Sequence, residues 1–158
     1  LSPIDIVLHS AGHLYTEGEL EMGLRGLVDL QWLLDEFGQR PGFWTALLAR
    51  AETLGWQAPL AQALRQLDQV LAWRAPEPGQ VWLARQAPIG LGRPLRRLVD
   101  AMYRRALRPD HPSFADVSTS LSRAGLYLRG HWMRMPLHLL ARHLVRKAIA
   151  ARRAPKEG

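Results

Sequence analysis

The chain has 158 residues, 47% of them hydrophobic, with six Trp, which suits one packed domain and excludes a disordered polymer. It contains no Cys, so disulfides, thiolate chemistry and thiolate-bound metals are excluded. The net charge of +7 is unevenly spread: residues 1–91 carry 6 Arg/Lys against 10 Asp/Glu, and residues 92–158 carry 15 against 4. Such asymmetry fits either two mutually complementary halves or a basic half that meets an anionic partner.

In chain order, Ser2-Pro3 reads as the N-cap and first position of a helix running to Tyr15, with Asp5 favoured by the dipole of its first turn. Ile4, Val7, Leu8, Ala11, Leu14 and Tyr15 form its apolar stripe, and Asp5, His9 and His13 a polar ridge opposite. After a connector around Gly18, a second helix runs from Met22 or Leu24 to Phe37, capped by Gly38. It is apolar on almost every side, which predicts a central place in the core, with Arg25, Asp29 and Trp32 as the one narrow interruption. Pro41 opens a third helix that ends at Leu54-Gly55, and Pro59 a fourth through Leu71. A Pro/Gly-rich break at 75–79 is followed by one or two helical turns over 80–86. Further helices are expected from Pro94 to Leu107, from Ser118 to Met135 and from Pro136 to Arg152, with a rigid loop over Arg108–Pro112.

No stretch has the period-two alternation of a strand, and there is no internal repeat. The expected fold is therefore all-α, an orthogonal or antiparallel bundle of about six or seven helices without a sheet. It forms one domain over 1–152, divisible into sub-bundles 1–73 and 94–152 joined by a linker over 75–93, with a frayed tail at 153–158. No apolar run reaches the roughly 20 residues of a membrane span and the N-terminus is not a signal peptide, so a cytoplasmic protein is expected. The start at Leu1-Ser2-Pro3, without Met, is expected of either an excised fragment or a processed chain.

The candidate functional residues concentrate on the first two helices. His9 and His13 are four apart and share a helix face, the spacing of two metal ligands. Ser10 stands where a zinc-peptidase motif has Glu, and no third ligand is evident beyond Asp5 or the connector glutamates, so no metal is assigned. Arg25 and Asp29 are also four apart, but with the cation first their order opposes the helix dipole. Local helix stability does not explain that order. A tertiary salt-bridge network, with Asp29 also accepting from His13, is one explanation; an anion-binding Arg25 oriented by Asp29 is the other.

The last helix sets Leu137, Leu140 and Leu144 against His138, Arg142, Arg146 and Lys147. This is either a docked surface helix or a basic face for an acidic protein or membrane surface. No aromatic residue is interleaved among these cations, so nucleic acid is not expected as a ligand. There is no Walker A, Gly-x-Gly-x-x-Gly, Gly-x-Ser-x-Gly or Asp-x-Asp sequence. Glu19-x-Glu21 is the nearest carboxylate pair and lacks a preceding Gly-Ser turn. No catalytic residue is assigned within the chain.

Leu1-Ser-Pro-Ile-Asp-Ile-Val-Leu-His9, His13-Leu14 and Gly23-Leu-Arg25-Gly-Leu-Val-Asp29-Leu together resemble the helical half of the uncharacterised bacterial nucleotidyltransferase family, within the DNA-polymerase-β-like superfamily. Phe43-Trp44, Ala49–Gly55, Arg104–Pro112 and Leu128–His138 extend the similarity. The resemblance implies a separate α/β lobe carrying a Gly-Ser turn and the carboxylates that hold Mg²⁺ and a nucleoside triphosphate. It implies that the helical lobe, inert alone, helps form the substrate cleft, with its upstream lobe or an equivalent chain as partner. His9, His13, Arg25 and Asp29 are then the residues expected to face that cleft.

Overall fold

The computed structural model describes residues 2–16, 23–86, 92–107 and 117–134. Among these there are seven helices and no strand: α1 (Pro3–Thr16), α2 (Gly23–Phe37), α3 (Phe43–Thr53), α4 (Gln57–Leu71), α5 (Glu77–Arg85), α6 (Gly92–Ala106) and α7 (Val117–Arg134). The all-α expectation holds. The expected helix over 136–152, the Arg108–Pro112 loop, the 17–22 connector and the tail lie outside the described residues.

Local chemistry explains most boundaries. Ser2 caps α1: its hydroxyl accepts from the Asp5 N–H at 3.1 Å and donates to the Asp5 carboxylate at 2.8 Å. α3 begins at Phe43, two residues later than Pro41 suggests, because Gly42 takes a left-handed conformation at φ 74° and closes a turn first. Conversely, α4, α5 and α6 each begin before the proline expected to open or precede them. Proline lacks only an N–H that the first turn leaves unbonded, so Pro59, Pro78 and Pro94 all sit inside first turns.

The core is one cluster that draws on α1 through α7, with Leu8, Leu27, Leu47, Leu60, Leu67, Leu107 and Leu126 at most 2% exposed. α4, rather than α2, is the central helix. It buries Leu60, Ala61, Ala63, Leu64 and Leu67 together with Gln62 and Gln66, whereas α2 buries only Gly23, Leu27, Leu30 and Leu34. Binary pattern cannot rank two apolar helices. The decisive signal is that α4 buries glutamines with partners on α6, where Gln62 Nε2 donates to Asp100 Oδ1 at 2.8 Å.

The Pro/Gly-rich stretch expected to be a linker contains α5. Gly79 is what seats it: a Cβ there would lie 2.8 Å from that of Ala75 and 3.0 Å from the Trp44 ring. Trp82 then buries its ring and donates from Nε1 to Glu52 on α3 at 2.8 Å. α6 and α7 pack on each other and reach the same core through Tyr103, Ala106 and Leu126.

Candidate functional site

α1 and α2 pack side by side, and Gly26 faces Leu14 across the seam, where a Cβ would stand in ordinary contact at 3.4 Å from the Leu14 side chain. Their outer edges enclose a groove of about 290 Å³ lined by His9, Ser10, His13, Arg25, Gly26 and Asp29, with Leu14 and Gly23. All four residues singled out in the sequence therefore face one space, and all four are exposed. The His9 and His13 rings lie 6.2 Å apart at 58°, neighbours on one helix face without stacking.

Arg25 and Asp29 form no ion pair among the described residues. Of the two explanations open for the pair, a direct bridge between Arg25 and Asp29 is therefore not the one found. Both side chains reach water, and an exposed pair in the unfavourable order gains too little to fix two long side chains. Asp5, the other acidic residue of the ridge, is committed elsewhere: Arg50 Nε on α3 donates to it at 3.2 Å. The Ser2 hydroxyl, followed by Arg50, holds the Asp5 carboxyl below its ordinary range. Ser10 donates to the Ile6 carbonyl at 2.9 Å, the usual resting bond of a helical serine. Among the described residues no group of three or more His, Asp or Glu could hold a metal ion. The surface residues Arg142, Arg146 and Lys147 lie outside the described residues.

One further residue of the α2 interruption gains weight from its exposure. Trp32 is 70% exposed, beside a second, shallower groove bordered by Asp29, Leu33, Asp35 and Glu36. Arg25, Asp29, Trp32 and Glu36 thus form an exposed stripe along α2 at helical spacing. The sequence already places Trp32 with Arg25 and Asp29 on the interruption of the apolar pattern, without assigning it a role. The signal that separates it is its i+3 position from Asp29, on the same face as the charged pair. An exposed indole flanked by a guanidinium and carboxylates is a surface suited to stacking or docking.

The fold and the groove define a class: an all-helical domain that presents a polar, partly aromatic face on its first two helices and buries its aliphatic residues behind it. Residues 1–72 match the model of a family described as uncharacterised nucleotidyltransferase. The match spans α1 to α4 and so includes the whole groove, and the resemblance read from the sequence is found over these residues. It does not extend to the Arg104–Pro112 and Leu128–His138 segments. No curated protein and no solved structure matches the chain. No helix among the described residues is long and apolar enough to cross a membrane.

Proposed function

We propose that this chain supplies the substrate-side helical surface of a nucleotidyltransferase and acts together with a metal-binding catalytic lobe, encoded upstream or as a separate chain. The observation that carries the reading is that the family match covers α1 and α2, whose four exposed polar residues share one groove.

Each residue has a role suited to its chemistry. Arg25 offers a planar fork of donors to a phosphate or an acidic acceptor. Asp29, one turn further on, limits the directions that fork can take. His9 and His13 border the groove with ring nitrogens that donate or accept according to protonation. Trp32 provides a flat apolar platform at the groove's end for a base or for the opposing lobe. Mg²⁺, when bound, would neutralise charge on the triphosphate, which would donate the nucleotidyl group. Their ligands are assigned to the catalytic lobe, as the family resemblance implies.

The test is nucleotidyl transfer from α-labelled Mg-ATP, using the 158-residue chain alone and the same chain joined to its catalytic lobe, with a deproteinised cell extract as the acceptor source. Transfer only in the joined form is expected. Robust transfer by the chain alone would overturn the reading.

A further inference from the structure

A second cavity, of about 540 Å³, lies among α1, α4, α6 and α7 and shares no lining residue with the α1–α2 groove. Its size falls within the range of small-molecule sites, roughly 300–1,000 Å³. We propose that it binds a small organic phosphate ester through Arg96, Arg129 and the Tyr15 hydroxyl, with Arg65 held in place behind them.

Charge is the first argument. Arg65, Arg96 and Arg129 come from three different helices to line the cavity, and among the described residues no Asp or Glu lines it. The nearest carboxylate is Asp100, which is buried and already bonded to Arg65 Nε at 3.2 Å and to Gln62 Nε2 at 2.8 Å. One carboxylate faces three guanidinium groups, so two positive charges are left over. Arg65 feels them: burial and the neighbouring Arg96 charge both push its pKa down, opposed by Asp100. Like charges gathered around a cavity are stabilised by an anion.

The second argument is independent of charge. Tyr15 is 4% exposed and lines the cavity, yet its hydroxyl is buried with no hydrogen-bond partner. Buried hydroxyls are nearly always satisfied, and one left open beside a cavity is a donor waiting for an acceptor. Its neighbour Tyr103 shows the satisfied state, donating to the Tyr15 carbonyl at 3.2 Å and accepting from Arg129 Nη1 at 3.3 Å. Moreover, α4 and α6 both begin at this cavity, with Gln57–Pro59 and Gly92 on its wall. α4 has no side-chain cap, so its first-turn N–H groups add to the positive potential.

Donors thus approach from several helices, more directions than the two oxygens of a carboxylate serve and a good match to a phosphate dianion. Ala58, Pro59, Ala61, Leu95 and Val99 form the remaining, apolar wall, which suits an organic body more than a free ion.

Calorimetric titration at fixed ionic strength tests this with phenyl phosphate, inorganic phosphate and benzoate as probes. Saturable phenyl phosphate binding is expected, at least about tenfold tighter than benzoate or inorganic phosphate. Tyr15→Phe and Arg96→Gln are each expected to weaken it about tenfold or more while the melting temperature is kept, and Arg40→Ala, at an exposed arginine that lines neither the cavity nor the groove, to leave it unchanged. Benzoate binding equally well would overturn the phosphate assignment, and inorganic phosphate binding equally well would overturn the ester. Absence of saturation below about 10 mM, or insensitivity to both cavity variants, would overturn the site itself. Failure here leaves the α1–α2 groove and its transfer assay untouched, since the two share no residue.

Discussion

Asp100→Ala is the substitution whose cost follows most directly from the structure. The Asp100 carboxylate joins α6 to α4 by accepting from Gln62 Nε2 and Arg65 Nε, while Arg65 Nη2 donates to Gln62 Oε1 at 2.6 Å. The two charged side chains are 8% and 16% exposed. Removing the acid leaves a guanidinium and an amide hydrogen without an acceptor in a place of low dielectric. Breaking one partner out of a buried pair costs about 3–5 kcal/mol, reduced here to about 2–3 kcal/mol because Arg65 keeps some access to the adjoining cavity. Against a typical total of about 5–15 kcal/mol this is a large share, and it lowers Tm by about 5–10 °C. Urea denaturation followed by circular dichroism measures it. The double replacement Arg65→Met with Asp100→Leu is expected to recover part of the loss, because it removes both charge-desolvation penalties but leaves the buried Gln62 amide unpaired. A cost below about 1 kcal/mol for Asp100→Ala, or a double variant worse than the single, would refute the buried-pair reasoning.

Three further outcomes are expected. Gly12→Ala adds a good helix former to α1 but drives a Cβ into the Trp56 ring, so a net loss of about 1–2 kcal/mol should appear in urea melts, with altered Trp fluorescence. Tyr15→Phe removes a buried, unpartnered hydroxyl and should be neutral or stabilising by up to about 1 kcal/mol at pH 7. Burial raises the Tyr15 pKa, so above pH 10.0 the unfolded chain sheds a proton that the folded one keeps, and stability falls as pH rises from there. The Phe variant should therefore lose less stability between neutral and strongly alkaline pH than the parent, as thermal melts across that range would show. At the acid end, Asp5 has a lowered pKa, so its contribution is present above pH 3.8 and lost as pH falls through the lower folded value. Asp5→Asn should flatten the acid limb of Tm against pH, and an unchanged limb would remove Asp5 from the account.

The helical class, the cap at Ser2 and the polar face of the first two helices were legible because each rests on neighbours in sequence. Ser2 and Asp5 are three residues apart, and the spacings of His9 with His13 and Arg25 with Asp29 are single helical turns. What sequence reading missed is non-local. The sequence sets Trp32 with Arg25 and Asp29 on the break in the apolar pattern, but the groove beside it depends on how α2 meets its neighbours. The cavity is further out of reach, since Tyr15, Arg65, Arg96 and Arg129 lie on four helices and each arginine alone reads as solvated surface. Asp100 likewise looks like an ordinary exposed acid on a basic helix until its two partners on α4 are in view. The Pro3 start held, whereas α4 and α6 begin two residues before Pro59 and Pro94, because proline is tolerated throughout a first turn.

The central claim, that the α1–α2 groove faces the substrate of nucleotidyl transfer, is tested most directly at Arg25. The measurement is kcat/KM for transfer from α-labelled Mg-ATP to acceptors in a deproteinised extract, comparing the parent with Arg25→Ala, each joined to its catalytic lobe. Arg25 is exposed and unpaired with Asp29, so its loss should leave folding intact while lowering kcat/KM about 10–100-fold. A folded Arg25→Ala enzyme with kcat/KM unchanged from the parent would contradict the account.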